Sequence, residues 1–232
     1  LYVGIFYLIL LGTFLFFFFS NFSLAEITSY DFIKENSLYL LEFKSSNLFL
    51  VSIIFLILTI LWVFPFLGFG SPIALIGGFI LGKWIGTIVV VLGLSIGATF
   101  LYIFGNYFLK DLVREKFLEK FNNLQIKFKK SEFLYLLIYR FCGGIPWQLS
   151  CILPTIFNVK VKNFFCATFI GIIPQIFLAV SIGSGLEKVI EQNSTAPSVL
   201  DLLATKEVYI PLIIFIFLVV FSFLVRKIFY KK

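Results

Sequence analysis

The stretch YRFCGGIPWQLSCILP, residues 139–154, sets one fixed cation ahead of a cluster of helix-breaking residues. Arg140 precedes Gly143 and Gly144, then Pro146, Gln148 and Pro154. A guanidinium can grip two oxygens of a phosphate or carboxylate at once. A backbone opened at Gly143–Gly144 would add N–H donors. Those residue types can bind an anion without forming or breaking a covalent bond. The rest of the chain offers no partner for catalysis. It has no His, and Cys142, Cys151 and Cys166 follow neither CxxC nor Cys/His spacing. HExxH and paired buried carboxylates are absent, and Ser150 and Ser181 have no base. The expectation is therefore a protein that is not an enzyme, with no metal and no cofactor, whose cysteines serve as small apolar side chains.

Composition defines the solvent in which Arg140 must act. Of 232 residues, 60% are hydrophobic, 33 are Phe and 13% are charged. A soluble domain is about half apolar, so this chain is read as one integral membrane domain. The net charge of +7 does not point to nucleic acid, because the basic residues cluster beside apolar spans, where they orient a membrane protein. An arginine at membrane depth costs at least ~2.5 kcal/mol on insertion scales, so it needs an anionic or carbonyl partner. Arg140 could contact a substrate phosphate, or cap the carbonyls of a broken helix. It could also snorkel to the headgroups, since eight residues of helix beyond Glu132 rise only ~12 Å. Gln148 and Gln175 either line a path or satisfy opened backbone.

The elements around these residues follow from hydropathy and charge. Residues 1–47 read as an N-terminal transmembrane helix, Leu1–Phe19, and an outer amphipathic segment with Ser29 as a cap. The apolar run is longer than a usual signal h-region, so a retained helix is expected, and the opening Leu fits a chain with residues before it. Residues 48–185 form the core: apolar 48–82, interrupted by Pro65 and Pro72 with Gly77, Gly78 and Gly82; a span at 85–109; a basic segment at 110–132; a second interrupted stretch at 133–162; and a span at 163–184. In 110–132, Val113, Phe117, Phe121, Leu124 and Phe128 trace one helical face with lysines opposite, as expected of a helix lying on an anionic lipid surface. Residues 186–232 are an outer loop, a last span and a basic tail.

Charge then sets topology. Segments 20–47 and 185–207 each carry two lysines against four acids, whereas 110–132 carries seven Lys/Arg and the tail from Arg226 four. With the basic segments cytoplasmic, 48–82 must enter and leave on the outer side, and 133–162 on the cytoplasmic side. The fold class is therefore an all-α integral membrane protein: an inverted repeat of two re-entrant helical hairpins, each followed by a transmembrane helix, with additional flanking transmembrane helices. Pro154, Gly171 and Pro174 are architectural on this reading, as are the prolines and glycines of the first hairpin.

Arg140, Pro146, Ala167, Thr168, Gly171 and Pro174 follow one another at distances that resemble the second half of the VTT domain, also called the SNARE-associated or DedA-superfamily domain. GGFILGKWIGTIVVVLGLSIGAT, residues 77–99, is similar to the first half. Gly143 stands where the family often has proline, Cys151 where it often has asparagine, and Asn106 where it often has arginine. No Asp or Glu lies within 48–82, which brings the chain nearer the TVP-like branch than the bacterial DedA-type members. The resemblance implies movement of membrane phospholipid, or of a lipid-phosphate carrier, in scramblase or flippase fashion. It also implies a bacterial-type plasma membrane, and it leaves homo-oligomers open. On it, the path residues are Arg140, Gly143, Gly144, Pro146, Gln148 and Gln175. An ion-coupled small-solute transporter, or a scaffold recruiting partners through 110–132, are the alternatives.

The inverted arrangement predicts opposite exposure for two loops. In a background lacking the three native cysteines, single cysteines at positions 83 and 162 should react with impermeant reagents from opposite sides of the membrane. Labelling of both from one side would overturn the repeat.

Overall fold

The computed structural model describes residues 30–64, 66–108, 131–142 and 146–192, together with residue 13 and parts of 205–221. The described residues form helices and turns, with no strand among them. Helix α1 is Tyr30–Val63, α2 is Gly70–Leu81 and α3 is Lys83–Phe108. A second series follows: α4 (Glu132–Cys142), α5 (Trp147–Ile152) running into a 3₁₀ turn at Leu153–Phe157, and α6 (Val161–Gln192). Three helical stretches are long and apolar enough to cross a membrane: Lys44–Val63, Lys83–Phe108 and Val161–Val189. Residues 30–46 and the apolar leg from Leu48 are two helical stretches that meet at a kink, where Asn47 is non-helical (φ −138°, ψ 40°). That leg, within Lys44–Val63, is long and apolar enough to span.

The proline and glycine positions set where the helices stop. α1 ends two residues before Pro65, which disfavours helical backbone in the residue it follows. Its last carbonyls are closed by turns from Phe64 to Ile60, Leu67 to Val63 and Gly68 to Trp62, with Leu67 in the left-handed region (φ 56°). α2 begins with Gly70, Ser71 and Pro72 and is 12 residues long. At 1.5 Å per residue that is ~18 Å, short of a ~30 Å hydrocarbon core. Gly82 (φ 74°) turns the chain from α2 into α3, a backbone conformation that side chains beyond glycine resist. In the second series Asn158 takes the left-handed turn after the 3₁₀ segment. Pro154 lies in the first turn of that segment, and Pro174 sits inside α6.

Close contacts fix how each series runs. Gly93 packs on Thr59 and Gly97 on Val63, the same offset of 34 both times (93 − 59 and 97 − 63), so α1 and α3 are parallel. Carried back, that offset sets Leu48 beside Gly82. α2 returns antiparallel to α3, with Gly77 against Val90 and Gly70 against Leu94. The second series also holds a parallel pair, α4 and α6, while its short helix α5 packs on α3. Asn163 hydrogen-bonds Glu132 (2.7 Å) and Gly171 packs on Arg140, an offset of 31 in each case (163 − 132 and 171 − 140). α3 and α6 run oppositely, since Tyr102 stacks on Phe164 at 4.4 Å while Trp84 meets Phe177 at 5.6 Å. The parallel pair α1–α3 thus runs opposite to the parallel pair α4–α6.

Small residues let the units approach backbone to backbone, the usual basis of helix association in lipid. A Cβ on Gly78 would strike the Val180 carbonyl, and one on Gly183 the Leu75 carbonyl. One core cluster gathers Val63, Ala74, Val90, Leu94, Ile176 and Val180; another gathers Ala98, Tyr102, Leu136, Phe164 and Ala167. Large apolar side chains such as Ile57, Trp84, Ile88, Phe100 and Ile170 point outward, as a lipid-facing surface requires. Lys44 and Glu187 pair at 2.9 Å, which joins α1 to α6 at one end of the long helices. Residues 208–214 are helical. The N-terminal span 1–19, Ser29, Pro65, the basic segment 110–130 and the tail lie outside the described residues.

Gly78→Ala should lower thermal stability in detergent by about 1–3 kcal/mol, because the methyl meets a carbonyl that cannot rotate away. Gly105→Ala meets neighbours only at 3.5 Å and should be neutral, or stabilising by about 0.5–1 kcal/mol. Equal melting temperatures for the two variants would contradict this packing.

Candidate functional site

Arg140 lies in the last turn of α4 with 4% of its surface exposed. Its Nε donates to Thr168 Oγ1 at 3.0 Å, one Nη to Ser150 Oγ at 2.6 Å and the other to Cys151 Sγ at 3.5 Å. The guanidinium also lies 5.1 Å from the Trp147 ring and 5.0 Å from the Phe164 ring. Among the described residues no carboxylate is within ion-pair distance of it. The cation is thus held by neutral dipoles and ring faces, which orient it without neutralising it. Gly171 makes this possible, because its missing Cβ is where the Arg140 stem passes. The side chain is directed into the protein and does not snorkel.

The carbonyls freed where α4 ends belong to another residue. Gln175 Nε2 donates to Phe141 O at 2.7 Å and Arg140 O at 3.3 Å. Capping of the break among the described residues is therefore the work of Gln175, and the Arg140 donors go to side chains. Gln148 likewise serves backbone: its Nε2 donates to Leu67 O at 2.6 Å, tying α5 to the turn between α1 and α2. The two breaks, one from each unit, meet through this bond. Trp62 Nε1 closes the first of them by donating to Phe69 O at 2.8 Å. Pro146 is the exposed residue before α5. Gly143 and Gly144 lie outside the described residues.

Between the units is a cavity of about 410 Å³. α2 contributes Gly70 and Ser71 from its first turn, α4 contributes Arg140, α5 contributes Trp147 and Ser150, and α6 contributes Ile176 and Gln175. Its size is at the small end of the ~300–1,000 Å³ usual for ligand sites. Of the residues singled out from sequence, Arg140 and Gln175 reach this cavity, and Gln148 seals the contact between the units. Pro72, Gly77, Gly78 and Gly82 shape α2 and its return, away from the polar wall. Trp147, Ser150 and Phe164 were not singled out for the site. Thr168 was noted only as part of a spacing pattern, and its hydroxyl is what holds the guanidinium Nε. No grouping of three or more His, Cys, Asp or Glu suited to a metal occurs among the described residues.

An all-helical chain with apolar outer faces, and a polar cavity where two opposed broken units meet, defines a polytopic integral membrane protein. Residues 64–185 match the VTT domain family model, and the chain belongs to that family. It is 29% identical over 162 residues to a Transmembrane protein 41 homolog of Dictyostelium discoideum, covering 68% of this chain and 48% of the relative. A Transmembrane protein 41 homolog of Caenorhabditis elegans is 27% identical over 119 residues, covering 50% of this chain and 48% of the relative. The chain spans about half the length of these curated relatives. No solved structure matches it.

Gln175→Leu keeps the side-chain volume and removes the amide that serves two carbonyls. It should destabilise the protein by about 1–3 kcal/mol, read as a lowered melting temperature in detergent. An unchanged melting temperature would show that those carbonyls are satisfied elsewhere.

Proposed function

We propose that the protein moves phospholipid, or a lipid-phosphate carrier, between membrane leaflets, and that it does so as a transporter without covalent chemistry. The observation that carries this reading is Arg140: a buried cation with no carboxylate partner among the described residues, on the wall of a cavity shared by both units. A charge held that way is costly unless an anion completes it. A lipid phosphate is an anion available everywhere along the surface of a bilayer. The family resemblance to lipid-moving proteins points the same way.

On this reading the two units are re-entrant hairpins that enter from opposite faces, and the cavity is the narrow part of the path between them. Gly143, Gly144 and Pro146 form the turn that keeps this path open at membrane depth. Both termini face the cytoplasm, in a bacterial-type plasma membrane, and the basic segment 110–132 lies on the anionic inner surface. An ion-coupled solute transporter would be expected to carry an acidic residue in one of its hairpins, and 48–82 contains none.

The test is reconstitution of the purified chain into liposomes carrying head-labelled lipid, followed by bleaching of the outer leaflet. Wild type should make the inner-leaflet label accessible. Arg140→Ala should slow that exchange by at least tenfold, and Arg140→Lys should recover part of it, because an ammonium lacks the planar fork. Stability provides the control. Arg140→Met keeps most of the buried volume without the charge, so its melting temperature should hold or rise while exchange is lost. An Arg140→Ala protein that exchanges lipid at the wild-type rate would sink the assignment.

A further inference from the structure

One short turn stands at the mouth of the cavity. Of the lining residues only Phe69 and Ser71 are exposed, Phe69 by 57%, whereas Arg140, Ser150, Ile172 and Ile176 are buried. Phe69 ends the turn between α1 and α2, and side chains hold that turn from two directions. Trp62 Nε1, on α1, binds the Phe69 carbonyl, and its ring fills the space that a Gly68 side chain would need. Gln148 Nε2, on α5, binds the Leu67 carbonyl. Both bonds are exposed, so water or a headgroup can replace either partner and the net cost of parting them is small. Leu67 itself has φ 56°. Glycine usually takes the left-handed position after a helix, and here glycine stands one residue later. A leucine in that region has a lower-energy backbone open to it and stays because its surroundings fix it there.

We infer that Phe66–Phe69 is a gate. The Phe69 ring screens the cavity while Trp62 and Gln148 hold the turn. When they let go, Leu67 relaxes to right-handed backbone and carries Phe69 aside. The inference rests on the reading of the cavity as a path for its purpose, though not for its geometry. Two opposed contributions set the balance. The side-chain bonds favour the screened form, and the left-handed leucine favours release. Gln148 adds a link to the rest of the molecule, because it belongs to the second series and Leu67 to the first. Any movement that draws α5 away from the α1–α2 turn removes one of the two restraints, so the mouth opens when the series part. Gln148 and Trp62 are thus positioning residues, acting through the backbone that carries Phe69.

The test is the rate at which a small uncharged maleimide reaches a cysteine inside the cavity. In the full chain with Cys142, Cys151 and Cys166 replaced, Ile176→Cys is the reporter, since Ile176 lines the cavity and is 7% exposed. Gln148→Leu and Trp62→Phe each remove one N–H and keep most of the side-chain volume, so each should quicken labelling about fivefold. Leu67→Gly removes the strain that favours release and should slow labelling about fivefold. Leu67→Gly combined with Gln148→Leu should return labelling close to the reference rate. Ala98→Cys, wholly buried in the other core cluster, is the control and should stay unlabelled in every variant. Equal rates at Ile176→Cys throughout, or faster labelling with Leu67→Gly, would overturn the gate. A parallel rise at both reporters would also overturn it, because that marks loosening of the whole fold. Lipid exchange in liposomes, measured on the same proteins, keeps the two readings apart. Labelling that shifts as stated while no protein exchanges lipid retains the gate and removes the path. Exchange in the reference protein with labelling equal throughout does the reverse.

Discussion

A helix that breaks inside an apolar medium leaves carbonyls that no water can reach, and each must find a donor within the protein. This chain breaks its helices repeatedly, and a side-chain N–H or O–H stands at several of the described breaks. Trp62 serves Phe69, Gln148 serves Leu67, Gln175 serves Phe141 and Arg140, and the Tyr102 hydroxyl serves Val159 at 2.6 Å. Three of the four reach across to a different element, so closing the backbone also joins the elements. The cavity exists because these donors hold the broken ends apart at fixed separations.

The placement of Arg140 depends on that arrangement. With Gln175 occupied by the carbonyls, the guanidinium is free to bond to Thr168 and Ser150 and to sit between two aromatic rings. Hydroxyls and ring faces set its direction while leaving its charge unanswered. A carboxylate in the same position would have produced a closed ion pair, stable and inert. The single described ion pair, Lys44–Glu187, is instead at the far end of the long helices, where it joins α1 to α6.

Much of this plan was legible from residue types. The apolar composition announced long helices with apolar outer faces, and Gly77, Gly78, Gly82 and Pro72 marked where the first apolar stretch is interrupted. The offsets of 34 and 31 residues show the first and last helices of each series lying parallel. Gln148 and Gln175 were readable only as polar residues with two uses. Which carbonyl each one serves depends on tertiary contacts across 81 and 34 residues, and no local pattern encodes such a distance. Trp147 was passed over for a physical reason. A tryptophan beside proline in an apolar chain reads as bulk, and only its surroundings reveal that its N–H lacks an acceptor.

The Gln148–Leu67 bond has a mechanical meaning. It is the point where the tip of one unit holds the tip of the other, and its acceptor belongs to a residue already in a left-handed conformation. Widening the gap between the units separates this amide from this carbonyl, and because the pair is exposed, water or a lipid headgroup can take over either partner. The bond therefore sets the resting distance between the two series without locking it.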